Sequence, residues 1–180
     1  EQQATTTITD DDVAEANRLS IPQDITAAPN DEIVVPVNIE TRDLMAAAGN
    51  RLAGIGVAIR YDAAVLTATA AAGGGFITTN GWTLVENLAT PGQIVLVGFT
   101  TGPFAGLASD VLANLTFTVN AAAPAGPTAI NIVPAIGSAF TELVDENDRV
   151  LALDGAVSND ATDSVDGIVT ITAGATTVSL

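Results

Sequence analysis

The strongest constraint on the fold is a repeated alternation of apolar with polar or small residues. In EIVVPVNIE, residues 32–40, every second position is apolar: Ile33, Val35, Val37 and Ile39. This period of two is typical of a strand with one buried face, because successive side chains of a strand point to opposite faces. Pro36 has no amide hydrogen to donate, so we expect this strand to lie at a sheet edge or to carry a bulge.

The same period continues along the chain. In residues 53–61, Ile55, Val57, Ile59 and Tyr61 alternate with the small residues Gly54, Gly56 and Ala58. Further strand-like runs cover residues 65–70, 82–88, 94–100, 111–119, 129–134, 139–145 and 168–173. Turn residues separate them, as in Asn80-Gly81, Pro91-Gly92 and Asp154-Gly155. Many short strands with turns at this spacing predict an antiparallel β-sandwich or barrel.

This pattern also predicts the core and leaves little room for helix. We expect ten residues to be buried: Ile33, Val35, Val37, Ile55, Val57, Ile59, Leu115, Phe117, Ile130 and Ile132. The glycines Gly73-Gly74-Gly75 indicate a turn. Single helical turns are predicted only at residues 12–15, which resemble a capping box, and within residues 41–50.

The charge balance excludes several classes of function. The chain has 21 acidic residues against 5 arginines, with no lysine, and its net charge is −16. Such a field repels nucleic acid and anionic membranes, so we expect neither as a partner. The absence of cysteine and histidine removes disulfides, thiolate nucleophiles and the commonest general base. A lysine-free and cysteine-free composition rich in Thr, Ala and Gly favours a secreted surface protein whose signal peptide has been removed.

Two segments resemble cohesin modules. AGIGVAIRYDAAVL, residues 53–66, is similar to the strand of those modules that ends in Tyr-Asp and a short corner, and VLANLTFTVN, residues 111–120, to a later strand. Between them, residues 94–100 stand where a central strand falls, and residues 167–171 resemble the closing strand. The resemblance implies an all-β jelly-roll sandwich, usually secreted, whose flat face binds dockerin modules in cellulosomes.

The two ends of the chain suggest a different role. Residues 1–17 form a polar, β-prone arm before the predicted cohesin-like sandwich of residues 18–174, and residues 175–180 form a second strand-like tail. An extended arm can add to an exposed sheet edge of a neighbouring copy, and head-to-tail contacts of this kind build filaments. The residues expected to assemble are Ala4, Thr5, Thr6, Thr7, Ile8, Thr9, Thr176, Val178 and Leu180.

The main functional prediction is therefore a structural subunit of an extracellular filament that polymerises with copies of itself. The alternative is a cohesin-type recognition module that binds a dockerin-like partner on a sheet face near residues 83–88 and 94–100. Neither role is enzymatic. Glu86 and Glu142 both lie in predicted strands and could face the same side as a glycosidase pair, but aromatic platforms for a sugar are missing.

No cofactor is expected, and calcium is a secondary alternative. The acidic residues near the C-terminal end do not match EF-hand spacing, so solvated turns and loops are favoured over a metal site. The calcium candidates are Asp145, Asn147, Asp148, Asp160, Asp163 and Asp166. Asn114-Leu115-Thr116 is a sequon inside a predicted strand, and the threonines of residues 5–9 and 176–177 could carry O-glycans.

Overall fold

A computed structural model of the protein describes residues 16–42, 44, 51–154 and 165–173. The elements within these ranges are β1 (Arg18–Ser20), β2 (Ile25–Ala27), β3 (Glu32–Thr41), β4 (Leu52–Tyr61), β5 (Leu66–Gly73), α1 (Gly75–Thr79), β6 (Thr83–Asn87), β7 (Gln93–Phe104), β8 (Ala108–Val119), β9 (Gly126–Val133), β10 (Ala135–Ile136), β11 (Ala139–Phe140), β12 (Glu142–Asp145), β13 (Val150–Leu151) and β14 (Gly167–Ile171). Strands dominate, as the alternating pattern predicts.

The first sheet has the antiparallel strand order β1-β3-β8-β5. β3 pairs with β8 along its whole length, and the register shifts between Val37 and Asn38. Pro36 lies just before this irregularity, in a part of β3 that β1 does not reach, because β1 pairs only with residues 38–40. The expectation that Pro36 marks an edge or a bulge is confirmed on both counts.

The second sheet is built around β4. One side of β4 is shared by β9 and β12, and the other side pairs with β7, which in turn pairs with β6. β14 follows β9 in antiparallel orientation, and β2 joins β14 in parallel. The two sheets face each other, and the predicted all-β jelly-roll sandwich is confirmed.

Aliphatic side chains from both sheets fill the space between them. Nine of the ten predicted core residues are buried, and Ile33 is half-buried against the same core. The few aromatic rings pack at fixed geometry, with Tyr61 and Phe117 in an edge contact at 5.1 Å between ring centroids. Each fully buried Val, Ile or Leu contributes about 1.5–3 kcal/mol of hydrophobic stabilisation, so the sandwich needs few aromatics.

The helix forms where a turn was expected. The prediction of a turn at Gly73-Gly74-Gly75 is wrong in part, because α1 begins at Gly75 and buries Phe76 and Ile77. A Cβ on Gly74 would overlap the carbonyl oxygen of Val111, so glycine lets the chain pass close to β8. The helical turn predicted at residues 12–15 lies outside the described residues. A second helical turn was predicted within residues 41–50, of which residue 43 and residues 45–50 also lie outside them.

The strand beside β4 is interrupted by a small hairpin. β9 pairs with residues 58–61 of β4 and β12 with residues 52–56, while β10 and β11 form a separate antiparallel pair between them. Thr141 bridges the interruption, since its hydroxyl accepts from the amide of Ala58 at 2.9 Å and donates to the carbonyl of Val133 at 2.6 Å. The hydroxyl thus replaces the backbone pairing that a continuous strand would supply.

The last residue of the predicted N-terminal arm is bound to its own domain. Asn17 is buried, and its amide and side chain both donate to the carbonyl of Ala152 at 3.2 Å. Its side-chain oxygen accepts from the amide of Arg42 at 3.1 Å. Residues 1–15 and the tail from residue 174 lie outside the described residues. Within the described ranges, no helix has the length and apolarity of a transmembrane span.

Candidate functional site

The outer face of the second sheet carries exposed apolar side chains. Residues that pair directly across strands point to the same face, so the registers define two outward rows. The first row runs across β12, β4, β7 and β6 as Val144, Gly54, Phe99 and Thr83. The second row runs across the same strands as Glu142, Gly56, Val97 and Val85. Ile55 and Leu96, which have the opposite orientation in β4 and β7, face the core.

We call Val85, Val97, Phe99, Phe140 and Val144 the apolar face. Relative exposure is 51% for Val85, 43% for Val97, 48% for Phe99 and 55% for Phe140. Val144 is half-buried. Single exposed apolar residues are ordinary on a protein surface, but a contiguous group on a flat sheet is typical of an interaction site.

A groove crosses the apolar face at its two glycines. Gly54 and Gly56 form part of its floor. Val97 and Phe99 on β7 line one side, and Phe140 and Val144 line the other. Its volume is about 270 Å³. We call it the glycine groove. It is open to solvent along the sheet and its lining is mostly apolar.

One charged residue lines the glycine groove. Glu142 is half-buried beside Gly56, and its Cγ would lie 3.8 Å from a Cβ at that position. The side chain of Glu142 has no hydrogen-bond or ion-pair partner among the described residues. The carboxylate is thus available to a group that enters the groove.

Glu86 and Glu142, which were considered as a glycosidase pair and not favoured, do not face the same side of the sheet. Glu86 pairs with Leu96, whose side chain points into the core, whereas Glu142 belongs to the row of Gly56 and Val97 on the outer face. The two carboxylates therefore point to opposite faces of the sheet. They do not form the cleft that a pair of glycosidase carboxylates requires.

The apolar face becomes polar toward the end of β6. A second shallow depression of about 310 Å³ is lined by Asn87, Thr90 and Gln93 together with Val95 and Ile136. Amide and hydroxyl groups at this end can both donate and accept hydrogen bonds. An apolar centre with a polar margin is the usual anatomy of a protein–protein interface.

The proposed calcium ligand Asp145 is engaged within its own hairpin. Its side chain is buried, and Oδ1 accepts from the amides of Asn147 at 2.8 Å and Arg149 at 2.9 Å. Oδ2 accepts from Nε of Arg149 at 2.7 Å. The predicted hairpin is present, but the expectation that Asp145 is solvated is wrong, because these donors satisfy the carboxylate inside the protein.

Asp166 is also buried rather than solvated. Its Oδ1 accepts from the amide of Ile132 at 2.6 Å, which fixes the loop before β14 to the end of β9. Asn147 and Asp148 are exposed at the β12–β13 turn, and Asp160 and Asp163 lie outside the described residues. In the part of the chain that the structure describes, no three acidic side chains come close enough to hold a metal ion.

The other predicted positions fall into two groups. The assembly residues Ala4 to Thr9 and Thr176, Val178 and Leu180 lie outside the described residues, and so do the candidate O-glycan threonines. The sequon residue Asn114 lies in the middle of β8, half-buried between Pro36 and Ala72 of the neighbouring strands. Asn114 therefore belongs to the first sheet and not to the apolar face.

The period of two locates the strands of the apolar face but does not show which of their side chains are exposed. The run IVLVGFT, residues 94–100, has apolar residues in both phases of the strand period. One phase, with Ile94 and Leu96, fills the core, and the other, with Val97 and Phe99, is exposed. Apolar residues in both phases of one strand were therefore the sequence signal for an exposed apolar face. Phe140 could not be found in this way, because its position depends on the hairpin between β9 and β12.

Comparison with protein families agrees with the fold. The model of the cohesin domain family matches residues 19–159 of the chain. No curated protein is significantly similar to the chain in sequence. The matched range includes β3 to β13, and so every strand of the apolar face.

Solved structures with the same fold are similar over most of the chain. CaCohA2 from Clostridium acetobutylicum is 26% identical, with a TM-score of 0.65 over 88% of this chain and 92% of that one. A type I cohesin–dockerin complex, Coh-OlpA with Doc918 from Clostridium thermocellum, matches with 16% identity and a TM-score of 0.62 over 88% and 100%. A non-cellulosomal cohesin from the archaeon Archaeoglobus fulgidus matches with 16% identity and a TM-score of 0.63 over 88% and 92%.

Proposed function

The chain belongs to the cohesin domain family, and we propose that it is a recognition module that binds a dockerin-like partner through the apolar face. One observation carries the proposal: Val85, Val97 and Phe99 stand about half exposed on adjoining strands of one sheet. Such side chains lose unfavourable contact with water when a partner covers them. Recognition of a dockerin-like partner is thus favoured over filament assembly as the main function.

The opposite sheet supports this choice by contrast. Its outward rows carry Thr118 beside Glu32 and Thr67, and Thr116 beside Val34. Val34 is exposed, but the next outward residues of its row are Thr116 and Ala70, so this face lacks a contiguous group of large apolar side chains. A partner that gains binding energy from apolar burial is therefore expected on the second sheet alone.

The similar structures add to the argument. The Coh-OlpA chain was solved as a type I cohesin–dockerin complex, and the Archaeoglobus fulgidus protein is a cohesin outside the cellulosome. The partner proposed here is accordingly a dockerin-like module, on the same chain or another, and not necessarily one from a cellulosome. An extracellular location belongs to the same proposal.

Calorimetric titration with dockerin modules encoded in the same genome tests the proposal. We expect one-to-one binding that Phe99→Asp weakens about 30-fold or more, since a charge in the centre of an interface costs at least about 2 kcal/mol. Val34→Asp, at an exposed apolar position of the other sheet, is the matched control. Absence of binding to all these dockerins, or equal losses in the two variants, would overturn the proposal.

Filament formation is kept as a second candidate. β5 is an edge strand of the first sheet, and among the described strands it pairs only with β8. Its free edge offers amide and carbonyl groups to an added strand. A neighbour's arm could occupy this edge without covering the apolar face, so the two functions are compatible. Electron microscopy of the purified chain distinguishes fibres from single particles.

A further inference from the structure

The glycine groove combines a mostly apolar lining with one carboxylate, that of Glu142, which is unpaired among the described residues. A groove that received only an apolar side chain would be disfavoured by a carboxylate on its wall, because covering an unpaired charge removes its hydration. Glu142 nevertheless lies half-buried beside Gly56, among residues that are otherwise uncharged. The arrangement therefore fits a ligand that is apolar along its length and positive at its end.

We propose that the glycine groove is a subsite for one arginine or lysine side chain of the partner. This inference rests on the proposed function and specifies the chemistry of its partner. The methylene groups of the side chain would lie over Gly54, where a side chain is missing and no backbone atom fills the space. The cationic head would pair with Glu142.

The shape of the groove agrees with such a ligand. Arginine and lysine bury their aliphatic stems against apolar surface while the charged head stays in a polar environment. Gly54 allows the stem to lie against the strand backbone. Phe99 and Phe140 line the same groove with exposed rings, and a cation beside an aromatic face is attracted to it.

Charge complementarity supplies an independent argument. The chain carries a net charge of −16 and only 5 cationic side chains. Three of these arginines are paired with carboxylates elsewhere: Arg42 with Glu40, Arg51 with Glu146 and Arg149 with Asp145. Among the described residues, none is paired with Glu142. The cation that completes this site is therefore expected from the partner.

The test uses small probes and the whole chain. N-acetyl-arginine methylamide is titrated while the backbone amide resonances of Gly54, Gly56 and Phe99 are followed by NMR. N-acetyl-norleucine methylamide, which has an apolar side chain and no charge, is the comparison probe. We expect the arginine probe to bind at least about fivefold more tightly, because a charge-assisted hydrogen bond exceeds a neutral contact. The preference should diminish as salt is raised.

Two isosteric variants separate the subsite from the overall charge. Glu142→Gln should abolish the preference for the arginine probe, whereas Glu86→Gln removes the same charge from the opposite face and should retain it. Equal binding of the two probes to the wild type, an unchanged preference in Glu142→Gln, or an equal loss in both variants would each overturn the subsite. A chain that binds a dockerin but shows no preference for the arginine probe would disprove the subsite and leave the proposed function intact.

Discussion

The carbonyl oxygen of Phe140 occupies the space that a Cβ of residue 56 would need. The hairpin of β10 and β11 therefore lies directly on the backbone of β4, and glycine is required at this point. Gly54, two residues earlier in the same strand, differs. A Cβ there would meet Cβ of Val144 at 3.6 Å, an ordinary contact distance. Gly56 thus allows the hairpin to pack against β4, and Gly54 leaves the groove open.

Gly56→Ala should displace the hairpin and destabilise the fold. Overpacking against backbone atoms costs typically about 1–3 kcal/mol, because the neighbour cannot rotate away. Chemical denaturation measures the loss of stability. Binding of a dockerin to the apolar face should also weaken, because Phe140 belongs to that face and moves with the hairpin. Gly54→Ala is the matched control and should leave stability nearly unchanged. Equal stability of both variants would show that the hairpin is not held against Gly56.

The strands and the core were predictable because they depend on local periodicity. Val35, Val37, Ile55 and Val57 each occupy the buried phase of an alternating strand, and the burial of one face follows from the period of two. The Pro36 edge was predictable for a similar reason, since the missing amide hydrogen restricts where a strand can place it. These properties belong to single segments of the chain.

The candidate site was less predictable because it depends on register between distant segments. Glu142 reaches the glycine groove only through the pairing of β12 with β4, and Phe140 only through the hairpin that interrupts the strand. Asp145 differs, because its donors Asn147 and Arg149 are only two and four residues further along the chain. Its position in the sheet, in contrast, depends on the pairing of β12 with β4. Sequence spacing alone does not fix which residues of two strands meet.

Thr141→Val should destabilise the junction between β9 and β12. The hydroxyl of Thr141 accepts from the amide of Ala58, a fully buried residue, and valine cannot replace that acceptor. An unsatisfied buried amide costs about 1–3 kcal/mol, and amide hydrogen exchange at Ala58 should accelerate. Thr170→Val, at an exposed position of β14, is the control. If both variants were equally stable, Thr141 would not be what joins the two half-strands.

Removal of residues 1–9 tests the filament candidate. A six-residue strand added to a neighbour makes about five main-chain hydrogen bonds of about 0.5–1.5 kcal/mol each, so the arm can hold subunits together only in repeated contacts. The truncated chain should remain folded, because the described strands begin at Arg18 and Asn17 is bound to its own domain. Electron microscopy should then reveal fibres from the full chain only. Fibres from the truncated chain would exclude the donated arm.

Asp145→Asn should make the chain less stable at neutral pH and reduce its acid sensitivity. Burial by itself raises the pKa of Asp145, but hydrogen bonds from the amides of Arg149 and Asn147 and from the Arg149 guanidinium outweigh it, so the pKa lies below its ordinary value of 3.8. A carboxyl whose pKa is lowered by folding contributes its full stabilisation above the unfolded pKa. That contribution is lost as the pH falls through the lower folded pKa.

The measurement for Asp145→Asn is urea denaturation of the wild type and the variant between neutral pH and about pH 2, a range that spans the ordinary carboxyl pKa. The wild type should have the higher midpoint at neutral pH, and the difference should shrink below the ordinary pKa of 3.8 as the carboxylate is protonated. Asp148→Asn is the matched control, because Asp148 is exposed at the same turn with a φ of 60° that asparagine also adopts. A difference that stays constant with pH would mean that Asp145 acts through its shape and not through its charge.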